Sequence, residues 1–332
     1  MKIRLPLFVT IALFILMYGL GSVSFPGFFA LQTFYYLLID NAFLIIMGVG
    51  MTFVILSGGI DLSVGSVLAL TTMIVSSLIE KNQIHPFIVI PLVLLMGTVF
   101  GGFMGFLIQY FQIPPFIVTL GGLYLARGLC YIVSIDTIAI NHPIYTYLSN
   151  YQIYLFGNNF ISINVVLAFV MVLIGVYLAH YTKFGRTVYA IGGNEQSALL
   201  MGLPVARTKM MIYAFNGFCA TLGGIAFTFY MRSGYALHGD GMHMDAIAAV
   251  AIGGALLTGS YGYVLGTVFG VLISGTIQYL IMFQGTLNAW WTKIAIGFLV
   301  CVFCLLQRLF AVRQANRKVT VRKEQQTEAS TV

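Results

Sequence analysis

The stretch GTVFGGFMGFLIQY, residues 97–110, returns as GTVFGVLISGTIQY at residues 266–279, identical in its first five and last three positions without a gap. The same offset of 169 residues lays Gly48 on Gly217 and Thr52 on Thr221. One register shared by two separate segments indicates a duplication. Each copy lies in a continuous apolar run, 87–108 and 262–283, and a bilayer-crossing helix needs roughly 20 such residues. Within these runs Gly97, Gly101 and Gly105 fall four apart on one helix face, as do Gly266 and Gly270. That spacing lets helix backbones approach closely, as static packing or as a sliding contact.

The rest of the chain reads the same way. Of 332 residues 60% are hydrophobic and 8% charged, and the mean hydropathy is +0.97. Nine acidic and 16 basic residues cannot cover the surface of a soluble protein of this length, so the apolar excess faces lipid. Apolar runs fall at 5–24, 33–56, 62–79, 87–108, 115–135, 161–181, 210–231, 244–259, 262–283 and 290–310. They are continuous, not alternating, which excludes a β-barrel. The fold class is therefore all-α, a polytopic transmembrane helical bundle of about 10 spans, occupying residues 1–310. The eighth run is short and interrupted by Gly253, Gly254 and Gly259, which suits a half-crossing or a tilted helix. The second run pairs with the seventh and the fourth with the ninth. Partners five crossings apart point in opposite directions, so the halves, about 33–135 and 205–310, form an inverted internal repeat, an arrangement found in transport folds.

Charge placement orients the bundle. Lys2 and Arg4 precede the first run; Lys183, Arg186, Arg207 and Lys209 flank the central segment 182–209; Arg308, Arg313, Arg317, Lys318, Arg322 and Lys323 follow the last run. Short Lys/Arg-rich segments stay cytoplasmic. Both termini, the central segment and the basic, polar tail 311–332 are thus expected inside, with 57–61 and 109–114, and the intervening connections outside. Positive-inside topology accounts for the basic tail without nucleic acid. The first run has no convincing cleavage site and reads as an uncleaved span. Cys130, Cys219, Cys301 and Cys304 all lie in apolar runs, and Cys301-x-x-Cys304 lacks a second pair, so they read as packing residues.

Polar residues inside this apolar frame are the candidate site. Asp61 in SGGIDLSVGS, residues 57–66, either caps the next helix by accepting N–H groups near Val64 or takes part in transport. Arg127 in LGGLYLARGL is the clearest ionisable group inside a span. A buried cation faces protein or water unless it snorkels to the surface, and its candidate partners are Asp136, Asp240 and Asp245. Asn41, Thr52, Thr119, Arg127 and Asn216 are the intramembrane groups expected to line a path for a polar solute, with Asp61 and Asp245 beside it. His238, Asp240, His243 and Asp245 in HGDGMHMD resemble a metal site, but glycines and methionines dilute the cluster, so it reads as an outer loop and no metal is expected. There is no G-x-x-x-x-G-K-[ST] loop and no catalytic set, so the chain is not read as an enzyme. A solute moved uphill would draw on a nucleotide-binding partner or, alternatively, on a coupled ion, as in a secondary carrier of a small polar solute. Ion coupling predicts several ionisable groups inside the spans, and Arg127 alone favours the partner.

GGNEQSALLMG, residues 192–202, is the polar exception. Asn194 caps, Glu195–Met201 makes two turns, and Gly202-Leu203-Pro204 stops them. Gly193, Asn194, Glu195, Gln196, Ser197, Ala198, Leu199 and Gly202 would form a short rigid helix able to press into a groove on a soluble partner, where a plain linker would need neither cap nor stop. FGRTVYAIGGNEQSALLMGLPVARTK resembles the ATPase-contacting loop of ribose/arabinose/galactose-type ABC sugar importer permeases. LSGGIDLSVGS, IPPFIVTLGGLYLARGL and DAIAAVAIGGALLTGSYGYVLGTVFG match further segments of that family, in order, from about residue 40 to 310. Among its members the chain is most similar to galactofuranose importer permeases. The resemblance implies a BtuC-like (type II) fold in a bacterial inner membrane and a coupling helix at Gly193–Gly202. It implies a second permease subunit, identical or paralogous, a periplasmic sugar-binding protein, and an ATPase partner that holds ATP and Mg; this chain itself carries no cofactor. His238 and His243 match no pattern of the family.

Overall fold

The structure, a computed structural model, describes residues 5–288 and 290–305. Lys2, Arg4 and the tail 311–332 lie outside the described residues. Thirteen helices are described: α1 Leu5–Ser24, α2 Leu31–Leu56, α3 Val64–Ser76 with a π-helical extension Ser77–Lys81, α4 Pro86–Tyr110, α5 Pro115–Val133, α6 Pro143–Asn150, α7 Ile163–Tyr181, α8 Lys183–Gly193, α9 Glu195–Leu200, α10 Val205–Met231, α11 Met242–Ile252, α12 Val264–Gln284 and α13 Trp290–Leu305. Proline opens α4, α5 and α6 at the first position, where its missing N–H costs nothing. A hairpin of β2 (Gln152–Phe156) and β3 (Asn159–Ser162) leads into α7, and β1 (Ile138–Ala139) pairs antiparallel with β4 (Ser233–Gly234).

Among the described residues eight helices are long and apolar enough to cross a membrane: α1, α2, α3 with its extension, α4, α5, α7, α10 and α12; α11 and α13 are shorter apolar helices. Each of the ten predicted runs thus holds an apolar helix. α2, α3, α10 and α12 make the interior, while α1, α4, α5 and α7 expose apolar faces such as Phe103, Leu125 and Phe169 outward. An all-apolar outer ring is what lipid requires.

Contacts along the helices give their directions. On α2 and α10, Phe43 meets Phe227, Met47 meets Gly223, and Gly50 meets Asn216, so the two repeat-related helices run antiparallel. α4 packs antiparallel on α10 through Gly97 against Thr221, Gly101 against Gly217 and Gly105 against Met210. α12 packs antiparallel on α2 through Gly275 against Asn41 and Gly48 against Thr267, where the Thr52 and Thr267 hydroxyls lie 2.7 Å apart. The duplication is therefore realised crosswise: the fourth run lies on the seventh as the ninth lies on the second.

The C-terminal end of α2 and the start of α10 share one end of the bundle with the connections 109–114 and 253–263. Gly58 reaches the Thr258 carbonyl, Ser260 donates to Leu56, and Gly105 lies against Met210. This is the end that carries the basic segment 182–209.

Two crossings are broken. Residues 57–63 climb back beside α10 before α3 starts: Gly59 lies by Tyr213, Asp61 by Asn216, and Leu68–Thr71 by Gly224. Residues 232–241 descend from the opposite end beside α3, with Gly234 on Thr72 and Ser76 and Gly239 on Gly65. α11 then completes the descent against α12, through Ala249 on Gly270 and Gly253 on Gly266. Eleven residues of helix rise about 16 Å, half of a hydrocarbon core of about 30 Å. The eighth run is thus a half-crossing that ends at Ile252, and the non-helical segment 232–241, mostly turns, supplies the other half. This corrects the reading of 238–245 as an outer loop, because that segment packs into the bundle.

Candidate functional site

The basic end of the bundle is built around α8 and α9. α7 turns into α8 at Gly185, which lies against the Leu178 and Ala179 carbonyls, and Thr182 caps the new helix by accepting from Gly185 N–H at 3.2 Å. α8 was not foreseen; its signal is the apolar spacing of Phe184, Val188 and Ile191 inside a polar segment. Gly192 has no room for a side chain, being pressed on the Leu56 carbonyl and Ser260 N–H. The Tyr189 hydroxyl donates to the Gly262 carbonyl at 2.7 Å. Burial, helped by Tyr263 and Tyr261, pushes this phenol up to about 12, so it remains a donor.

The predicted cap and stop of α9 are present. Asn194 Oδ1 accepts from Ser197 N–H at 2.7 Å. At the other end Gly202 has φ +75°; its N–H donates to Leu199 at 2.9 Å, and Leu203 N–H donates to Ala198 at 3.1 Å. This is a Schellman closure, which needs the left-handed residue that glycine supplies. Ala198 is buried against Ile191 and Val205, and Lys209 Nζ bonds Glu195 Oε1 at 2.6 Å. Gly193, Asn194, Glu195, Gln196, Ser197 and Leu199 are exposed, and Leu200 and Met201 project beyond them at 88% and 67% exposure. A six-residue helix anchored by one alanine thus presents an apolar tip away from the bundle, and Pro204 leads straight from it into α10.

The first broken crossing is held by Asp61. It is fully buried; its Oδ1 accepts from Ser63 N–H at 2.8 Å and from the Ser63 hydroxyl at 2.7 Å, and its Oδ2 accepts from Asn216 Nδ2 at 2.7 Å. The predicted cap on the N–H groups near Val64 is corrected: the carboxylate closes a tighter turn on Ser63, two residues away, and α3 starts without a side-chain cap. Thr119 and Gly122 of α5 cover the other side, Thr119 Oγ1 lying 3.5 Å from the Ile60 carbonyl.

The second broken crossing is held by Arg127. Its guanidinium donates to the carbonyls of Ala236 and His238, the latter at 3.0 Å, and approaches Asp240 at 3.8 Å. Of the three predicted acids the partner is Asp240, not Asp136 or Asp245. Non-helical backbone at membrane depth requires donors from protein, and Arg127 provides them. Asp240 itself is 77% exposed, beside exposed Leu237 and Met244. Asp245 belongs to another pair, with Lys293 Nζ at 2.7 Å from both its oxygens. His243 lies against Gly65, and His238 packs edge-on to Phe227. Among the described residues no three His, Cys, Asp or Glu side chains gather where a metal ion could be held.

The seven expected path residues do not form one site. Asp61 and Asn216 are bonded, with Thr119 near them. Thr52 pairs with Thr267, and Asn41 donates to its own helix at Leu37. These five are buried. Arg127 and Asp245 are partly open and flank Asp240 and His243. Two charged groups were missed. Asp40, in α2, accepts from the Tyr279 hydroxyl at 2.6 Å, and Lys293 lies in the first turn of α13. Both stand out in the sequence as lone charges within apolar runs, so the reading of Arg127 as the one clear intramembrane ion is corrected. Each of the two has a protein partner.

Residues 33–304 match the family described as branched-chain amino acid transport system / permease component. The chain is 51% identical to the inner membrane ABC transporter permease protein YjfF of Escherichia coli (strain K12), over 96% of each chain. It is 40% identical to the fructose import permease protein FruG of Bifidobacterium longum (strain NCC 2705), over 95% of this chain and 94% of that one. It is 38% identical to the ribose import permease protein RbsC of Bacillus subtilis (strain 168), over 78% and 79%. No solved structure matches.

Proposed function

We propose, for a chain that belongs to the branched-chain amino acid transport system / permease component family, that it is the membrane-spanning subunit of a binding-protein-dependent ABC importer of a monosaccharide. The observation that carries the reading is α9, a capped helix with an exposed apolar tip, fixed by Pro204 to the helix whose Asn216 holds the first broken crossing. In this reading the basic end is cytoplasmic and the protein lies in a bacterial inner membrane. A partner ATPase, binding ATP and Mg, receives Leu199, Leu200 and Met201 in a surface groove. Closure of that partner tilts α10, and the tilt is felt at the two breaks, where short hydrogen bonds rather than continuous helix join the halves. Sugar delivered by a periplasmic binding protein passes between this chain and a second permease subunit, along the face where Asp240, Arg127 and Asp245 offer polar groups. An exposed carboxylate beside Leu237 and Met244 would be costly against lipid, so that face abuts water or protein. Galactofuranose is the first sugar to test, beside the fructose and ribose named for two relatives.

The experiment is uptake into proteoliposomes holding this chain, its ATPase, a second permease and loaded binding protein. Uptake is expected only with ATP inside the cytoplasmic compartment. Uptake without ATP, driven by a proton or sodium gradient, would show an ion-coupled carrier instead and refute the proposal.

A further inference from the structure

A groove of about 490 Å3 lies between the start of α8 and the start of α10. Its walls are apolar, from Phe184, Leu203 and Met211, and its rim carries Lys183, Arg186 and Arg207. All three cations are exposed and none is in an ion pair among the described residues. No carboxylate lines the groove, and the acid of the adjoining helix, Glu195, is held by Lys209. Lys183 stands two residues beyond the end of α7 and Arg207 in the first turn of α10, the level at which spans leave the hydrocarbon. Met211, an exposed apolar side chain one turn deeper on α10, carries the groove into it.

We propose that this groove binds an anionic phospholipid, its phosphate among the three cations and the first carbons of its chains against Phe184, Leu203 and Met211. Cationic pockets between helices at a membrane surface select anionic headgroups. The apolar wall decides the source. A free phosphate gains nothing from it, whereas an amphiphile satisfies rim and wall together. The acidic face of a soluble partner would meet the cations but leave Met211, on a span, uncovered. Pro204 also lines the groove, so the bound lipid braces the connection between α9 and α10. The inference concerns a site apart from the transport path, and its test needs neither nucleotide nor sugar.

The full chain is purified in mild detergent and offered phosphatidylglycerol or phosphatidylcholine in nanodiscs, and retained lipid is counted by native mass spectrometry. The wild type is expected to retain phosphatidylglycerol in preference. The Lys183→Gln/Arg186→Gln/Arg207→Gln variant should lose that preference by about tenfold or more. Arg186→Gln alone, expected to lose part of it, serves if the triple variant does not purify as a single species. Inorganic phosphate alone should fail to displace the lipid. No preference in the wild type, a preference kept by the variants, or full displacement by phosphate would each overturn the site. So would loss of ATPase binding by the triple variant with its lipid preference intact, which would make the cations a protein-docking surface.

Discussion

At the scale of single residues, the charges inside this protein do for backbone what water would do outside. Asp61 and Arg127 each sit where a crossing is interrupted, one accepting from N–H and hydroxyl groups, the other donating to carbonyls. Both serve non-helical backbone inside the bundle, whose polar groups find no partner in a helix and need one from the protein. Arg127→Leu therefore leaves the Ala236 and His238 carbonyls without their donor. An unsatisfied buried group costs about 1–3 kcal/mol, so a clear fall in thermal unfolding temperature in detergent is expected. Arg127→Lys, which brings one ammonium in place of the planar fork, should fall between the two. If Arg127→Leu unfolds at the wild-type temperature while transport is lost, the side chain serves the solute and not the backbone. The sequence showed both residues, but not their tasks. A lone arginine in an apolar run looks the same whether it faces a path or a broken strand of chain, and only the trace of 232–241 distinguishes them.

At the scale of elements, α9 was the most legible piece, while α8 and the break before α11 were the least. Asn194, Gly202 and Pro204 signal start and stop through chemistry local to a few residues, so no tertiary information is needed. The break before α11 has no local signal. Its residues, from Gly234 to Gly241, would serve any outer loop, and what holds them is distant: Gly65, Thr72 and Arg127. α8 was hidden by its cations, although its apolar side follows helical spacing. Because α9 has only six residues and one buried anchor, its ends carry much of its stability. Asn194→Ala removes the bond to Ser197 and should cost α9 about 1 kcal/mol, enough to fray a helix this short without disturbing the spans. The expected outcome is normal yield and membrane insertion with weaker co-purification of the proposed ATPase partner, most of it restored in Asn194→Asp, which keeps the acceptor. Unchanged ATPase binding in Asn194→Ala would mean that the segment need not be helical when it docks.

At the scale of the whole molecule, the inverted repeat explains why identical sequence appears in two helices that pack mainly on other partners, α4 on α10 and α12 on α2 and α11. The glycines of GTVFG face α10 in α4 and α11 in α12, where Thr267 of the same stretch turns to α2. A helix repeated by duplication meets the copy of its old neighbour, so α4 lies on α10 as α12 lies on α2, but the contacting residues differ: Gly101 meets Gly217, whereas its counterpart Gly270 meets Ala249 and leaves Thr267 to meet Gly48. The offset could be read from the letters, and the direction of each half from counting crossings. The crosswise partnering could not, because close-approach glycines announce that some helix comes near without saying which. Close approach also sets what the fold tolerates. A Cβ on Gly217 would overlap the Gly97 carbonyl and crowd Gly101, so α10 and α4 would be forced apart, whereas Gly121 and Gly128 on the outer side of α5 have open space around them. Gly217→Val is thus expected to abolish accumulation of folded protein, and Gly217→Ala to reduce it and lower the unfolding temperature. Gly121→Ala should leave both unchanged, or raise stability slightly, since alanine is the better helix former by about 1 kcal/mol. The measurement is the monodisperse fraction on size exclusion together with thermal unfolding. If Gly217→Val accumulates and unfolds like the wild type while Gly121→Ala does not, the close contact lies on the outer face of α5, and α4 does not pack on α10 as described.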